Sequence, residues 1–274
     1  MRAAASPLRP GSVLAARARH ARMRRGTGEC MAIPRHSFTL QSIEPRGRDH
    51  LGARLRAAPG FAFVAGQWGN LLVPAADGGE ERRALSFASA PQELPELELC
   101  VRRAEGSSAI AALERAAAPA GFAIEGPFGA FQWDGGHDGP LLLVATSTGI
   151  APIRSIVREA TAKGPWRHGV ALLHALARDR DPPYADEEPD WRRRLPRLEL
   201  RRFDLGRDRD EQDPATWAPA AAAALAAART FAAGGARPRA WLAGHGALVR
   251  PLRAALEQEL AFERRQVRVE IFWP

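Results

Sequence analysis

The chain has 274 residues, a net charge of +8 and two cysteines; this is long enough for two domains with separate cores and too poor in thiols for a disulfide framework or the four thiolates of a plant-type [2Fe–2S] centre. The charge is concentrated: residues 1–30 hold seven arginines (Arg2, Arg9, Arg17, Arg19, Arg22, Arg24 and Arg25) against Glu29, leaving +2 of the +8 for the remainder and no basic domain to explain by nucleic-acid binding. No apolar run approaches the ~20 residues of a membrane span, and none after Arg24 and Arg25 is long enough for a secretory or twin-arginine signal core.

Residues 1–30 lack apolar periodicity and read as a disordered leader or as an upstream start assignment, with Met31 as the start; a nucleic-acid or membrane-binding arm is the alternative. Cys30 falls in this leader and Cys100 reads as a buried strand residue, so a reducing cytoplasm is the expected setting. Ser37 to Ile43, His50 to Arg56, Gln67 to Val73 and Leu97 to Arg103 are short β-compatible runs separated by Gly, Pro and charged turns. They predict an antiparallel β-barrel domain over residues 31–134. Gly106, Ser107 and Ser108 precede the apolar positions Ile110 and Leu113, as a helix N-cap would.

Asp134 to Gly139, DGGHDG, reads as a linker, and after it strands and helices alternate. Strands are expected at Leu141 to Ala145, Val170 to His174, Leu198 to Arg202, Ala240 to Ala243 and Val267 to Phe272. Helices are expected at Ile150 to Ala162, Ala218 to Ala233 and Ala247 to Leu260, the alanine-rich one lying on the surface. Residues 135–274 therefore form a doubly wound α/β domain with its ligand at the carboxyl ends of the strands. LLLVATSTGIAP, Leu141 to Pro152, is its most specific stretch: a strand buried on both faces stops at a small-residue turn. The helix that follows presents free backbone N–H groups where an anionic pyrophosphate is favoured.

One such turn could belong to any α/β domain. Its weight comes from RALSFASAP at Arg83 to Pro91, GPFGAF at Gly126 to Phe131 and EIFW at Glu270 to Trp273, arranged in order around it. Together these segments resemble the ferredoxin-NADP reductase superfamily from about Ile33 to the C-terminus. The resemblance implies a flavin-binding barrel followed by an NAD(P)-binding α/β domain, with FAD and NADP or NAD as cofactors and no metal.

It also implies a site, residue by residue. Arg83 would meet the FAD pyrophosphate, Ser86 the flavin N5 region, and the cap at Gly106, Ser107 and Ser108 the adenine-side phosphate. Leu85 stands where the family has a ring-stacking aromatic, so a looser flavin is expected. Gly66 and Gln67 fit the family's turn into the strand under the flavin. Thr148, Gly149, Ile150, Ala151 and Pro152 match the family's nucleotide turn, although Thr146 and Ser147 replace glycines. Trp241 to Gly246 resembles the Cys-Gly-Pro strand end: Gly244 matches, Ala243 replaces the cysteine and His245 the proline, where it could face the ligand or bond a backbone group. Arg178 is expected to reach the dinucleotide. Arg201 and Arg202 could bind a 2′-phosphate, favouring NADPH, or form a solvated charged edge. Glu270 would lie in the hydride-transfer region, and Phe272, with Trp273 as second candidate, would cover the flavin face or else fill a core strand.

The implied function is an FAD-dependent NAD(P)H oxidoreductase that passes electrons to a separate acceptor, whether a ferredoxin, a flavodoxin, an oxygenase component or a small molecule. A nucleotide-sensing or electron-transfer subunit with little NAD(P)H oxidation of its own is the alternative. Neither a nucleic-acid partner nor a membrane span is expected.

Overall fold

Phe38 and Leu40 are buried while their neighbours Ser37, Thr39 and Gln41 are less so, the period-two pattern of a strand with one face on a core. This strand is β1 (Arg35–Pro45), in a computed structural model that describes residues 33–75, 78–103, 106–176, 181–206 and 209–273. β2 (His50–Ala57), β3 (Trp68–Pro74), β4 (Glu80–Ser86), β5 (Glu96–Arg102) and β6 (Ala120–Phe128) complete an antiparallel sheet in the order β4-β3-β6-β1-β2-β5. A bridge between Phe87 and Leu99 brings the β4 end against β5, so the two edges meet as a barrel. Leu40, Leu55, Leu71, Phe87, Leu99 and Ile124 fill it, with Leu113 of helix α1 (Ser108–Arg115) packed into the same core.

The second sheet is parallel, in the order β11-β10-β7-β8-β9, with β7 at Leu141–Thr146, β8 at Val170–Leu176, β9 at Leu198–Asp204, β10 at Arg239–His245 and β11 at Val267–Trp273. Every residue of β7 and β8 is buried, as expected of parallel strands covered on both faces. Helices α2 (Ile150–Ala160), α3 (Glu188–Arg194), α4 (Ala218–Ala233) and α5 (Gly246–Glu259) surround the sheet. In α4 the buried positions are Ala220, Ala224 and Ala228, one stripe at four-residue spacing, so the alanine tract is a surface helix laid against the sheet.

α3, β4 and β6 have no counterpart among the predicted elements. α3 carries one buried side chain, Trp191, too little for an apolar period. Its shape is supported by the i,i+4 pairs Glu188–Arg192 and Asp190–Arg194. β4 is a run of charges and β6 holds Gly and Pro, so neither announces itself as a strand.

A charged layer joins the two halves. The Arg154 guanidinium of α2, 4% exposed, donates to the Ala88 carbonyl at 2.7 Å and to both carboxylate oxygens of Glu187 at 2.7 and 2.8 Å. Arg46, at the β1–β2 turn, donates to Glu98 of β5 at 2.7 Å. Both guanidinium groups lie against the ring of buried Tyr184, at 4.7 Å for Arg154 and 5.4 Å for Arg46. Charges this far from water persist only when paired and hydrogen-bonded. Burial acts to raise the Glu187 pKa, but the hydrogen bonds and charge of Arg154, with Arg158 beside them, outweigh it and hold the carboxyl at about 2. No helix among the described residues is long and apolar enough to cross a membrane.

Candidate active site

A cavity of about 540 Å³ opens between the barrel and the carboxyl end of the parallel sheet, within the range of small-molecule and cofactor pockets. Its cationic end is made where β4 meets the start of α1. Arg83 Nε donates to Ser108 Oγ at 2.6 Å, and its guanidinium also pairs with Glu81. Ser107 is the N-cap of α1, its hydroxyl accepting from the Ile110 N–H, so further N–H groups of the first turn remain for a ligand. Arg83, Gly106 and Ser107 line the space.

The barrel wall of the cavity is largely apolar and carries the Ser86 hydroxyl. Leu85 and Ser86 line the cavity from β4, and Trp68 lines it from β3. The antiparallel register sets Trp68 directly opposite Ser86, and opposed residues share a face of the sheet. The Trp68 ring packs 4.9 Å from that of Phe128. Cys100, 2% exposed, completes this wall; burial first, and Glu98 second, push its thiol up to about 12, so it is a packing group rather than a thiolate.

The far wall comes from the α/β half, through Thr148, Ala151, Glu270 and Phe272. Burial raises the Glu270 carboxyl above its usual range, which lets it keep a proton to higher pH. Thr148 belongs to a tight 3₁₀ turn, Ser147–Gly149, between β7 and α2. A Cβ on Gly149 would stand 2.3 Å from the Ala243 carbonyl oxygen, so only glycine lets the turn approach β10. Gly244 has φ +133° and a Cβ there would meet Thr146 Oγ1 at 2.1 Å. That hydroxyl accepts from the His245 N–H at 2.9 Å.

Among the sequence-predicted site residues, one cavity thus collects Arg83, Leu85, Ser86, Gly106, Ser107, Thr148, Glu270 and Phe272, with Ser108 bonded to Arg83 behind it. Ile150 and Pro152 turn buried side chains away, Ile150 into the core under the sheet. Gly149 and Gly244 pack backbone against the neighbouring strand. Arg178, the leader and the Trp273 side chain lie outside the described residues. His245 bonds a backbone group: its Nδ1 accepts from the Ala247 N–H at 3.2 Å, and its ring stacks on Trp217 at 5.5 Å. Ala243 is fully buried. Arg201 pairs with Glu199 and Arg202 with Glu188. Trp68 and Arg102, which line the cavity, were missed; the place of Trp68 just after the Gly66–Gln67 turn was the available signal.

A barrel paired with a doubly wound parallel sheet, with one cavity lined by both, is the fold of the ferredoxin-NADP reductase type. No family model matches the chain. It is 41% identical over 127 residues, 46% of its length and 51% of the relative's, to "Ferredoxin--NADP reductase B" of Sorangium cellulosum. It is 35% identical over 167 residues, 56% of this chain and 48% of the other, to "Aromatic O-demethylase, reductase subunit" of an Amycolatopsis species. The chain spans about half the length of these curated relatives. The crystal structure of an Amycolatopsis cytochrome P450 reductase superposes with a TM-score of 0.67 at 25% identity, over 88% of this chain and 71% of that one. The chain thus has the fold of the ferredoxin-NADP reductase superfamily and is similar in sequence to reductases of this kind over about half of their length.

Proposed function

We propose that the chain is an FAD-dependent NAD(P)H oxidoreductase delivering electrons to a separate redox partner, a ferredoxin or an oxygenase component of the kinds named with its relatives. The observation that carries this reading is the make-up of one cavity: a guanidinium beside a helix start, an apolar and aromatic lining with a hydroxyl, and a protonatable carboxyl from the α/β half. That combination of surfaces fits a molecule that carries both phosphates and a flat ring. Residues 31–134 would supply the flavin half and residues 135–274 the nucleotide half, in a cytoplasmic setting.

Bound FAD would supply the capacity to take a hydride from NADPH or NADH and release the electrons onward. The protein's part is binding and placement. Arg83, with the α1 start at Gly106, Ser107 and Ser108, holds phosphate by charge-assisted bonds. Leu85 and Trp68 supply apolar area for the ring, and the Ser86 hydroxyl can donate or accept at its N5 edge. Thr148, Gly149, Ile150, Pro152 and Gly244 shape the close backbone approach for the dinucleotide. Phe272 excludes water from the reacting face until nicotinamide displaces it, and Glu270 can hold or return a proton there.

Titrating the purified chain with FAD, then supplying NADPH or NADH with ferricyanide as acceptor, tests this. The expected result is a melting temperature that climbs with FAD concentration and nucleotide oxidation that depends on added flavin. Protein that stays colourless with no thermal shift contradicts it. Flavin uptake without oxidation of either nucleotide supports the electron-transfer-subunit alternative, for which the absent aromatic at Leu85 is the motive.

A further inference from the structure

Ser147 is a non-glycine residue with φ +46°, in the left-handed region that L side chains avoid. It sits one residue before Thr148, which lines the cavity. Two buried histidines hold it. His50 Nε2 lies 3.2 Å from Ser147 Oγ, and His174 Nε2 donates to the Ser147 carbonyl at 2.9 Å. His174 is on β8, next to β7 in the parallel sheet, but His50 opens β2 of the barrel. One end of the barrel therefore reaches across and grips the nucleotide turn by its side chain.

The grip is itself anchored. The β1–β2 turn that precedes His50 carries Arg46, bonded to Glu98 and laid against Tyr184, and Arg46 N–H donates to the His50 carbonyl at 3.0 Å. His50 pairs with Arg102 of β5, a residue of the cavity wall, yet His50 does not line the cavity. From this geometry we infer that His50 is a positioning residue for the nicotinamide nucleotide: by holding Ser147 in its left-handed conformation it sets where Thr148 and the following N–H groups point, so nucleotide affinity depends on a barrel side chain that touches no ligand. The inference rests on the nucleotide-binding reading above. Without its partner, a serine at this φ relaxes toward negative φ and re-aims the turn, whereas a glycine keeps the conformation unaided.

The test is a double-mutant cycle on the full, FAD-supplied chain, reading NADPH and NADH affinity by titration together with kcat and KM. His50→Ala is expected to weaken the nucleotide on the order of tenfold, the equivalent of about 1.4 kcal/mol, and to leave kcat at saturating nucleotide within roughly twofold. Ser147→Gly alone changes affinity little, and in the His50→Ala background it restores most of the loss. Ser147→Ala, which keeps the strain and removes only the hydroxyl, reproduces the loss from the other side and stands in should His50→Ala fail to fold. Unchanged affinity in His50→Ala or Ser147→Ala overturns the inference, as does a double variant no better than His50→Ala. If the wild type binds neither nucleotide, the functional reading falls instead, and the clamp is judged on melting temperature: non-additive His50→Ala and Ser147→Gly effects support it and additive ones overturn it.

Discussion

On the barrel side of the cavity, Arg83, Leu85 and Ser86 line the space, whereas on the α/β side Thr146 and Ser147 turn their side chains back, to the His245 N–H and to His50. The first wall presents side chains to the space. In the second, Glu270 and Phe272 also face the space, but the turn after β7 spends the Thr146 and Ser147 side chains on holding its own backbone in place. A departure from the family pattern therefore has different consequences on each. Leucine for an aromatic at Leu85 changes a side chain that lines the cavity, but threonine and serine for glycines at Thr146 and Ser147 are absorbed into the scaffold, with Gly244 leaving room for Thr146 Oγ1.

Gly244→Ala breaks that accommodation most severely, since the new Cβ stands 2.1 Å from Thr146 Oγ1 at a backbone φ of +133°. The expected cost is about 3 kcal/mol or more, a drop in melting temperature on the order of 10 °C. A melting curve superposable on the wild type would remove the steric half of the comparison.

The joint between the two walls is sensitive to acid. Glu187 is held at about 2, below an ordinary 4.5, so its pairing stabilises the fold above pH 4.5 and that contribution is lost as pH falls toward 2. The linkage corresponds to roughly 3 kcal/mol. Glu187→Gln should lower stability near neutral pH and flatten the acid limb in denaturant titrations; an unchanged limb would mean the layer is not coupled to folding.

Arg83→Ala sharpens the contrast from the ligand side. Losing charge-assisted bonds of roughly 1.5–3 kcal/mol each should weaken FAD some ten- to a hundredfold by that estimate, with little change in the melting temperature of flavin-free protein. A large fall in that temperature instead would make Arg83 a scaffold residue like Ser147. The smallest effect is expected of Leu85→Tyr: a restored ring adds about 0.5–1.5 kcal/mol, read as slower FAD loss on dilution. Unaltered retention would mean the wall is packed around leucine.

Which parts were legible in the sequence follows from how far each residue's partners lie along the chain. β7 and α2 announce themselves because a strand buried on both faces must be apolar throughout and its turn must be small. Of the barrel strands, β1, β2, β3 and β5 show as short β-compatible runs while β4 and β6 do not, and Arg83, Ser86, Ser107, Thr148, Glu270 and Phe272 show by short motifs. The Arg46–Glu98 and Arg154–Glu187 pairs and the His50–Ser147 bond join residues far apart in the chain, so no local pattern carries them. Ile150 and Pro152 teach the converse: they belong to the motif, yet their side chains serve the helix and the core.

Anaerobic stopped-flow mixing of FAD-loaded protein with NADPH or NADH, followed at roughly 450 nm, bears most directly on the claim that one cavity brings flavin and nicotinamide together. The account predicts bleaching by at least one nucleotide. It also predicts that Phe272→Ala changes the rate, or the preference between nucleotides, far more than it changes FAD content. Flavin-loaded wild type that neither nucleotide bleaches would contradict it, and a Phe272→Ala chain that merely unfolds would make Phe272 a core-strand residue rather than a displaceable cover.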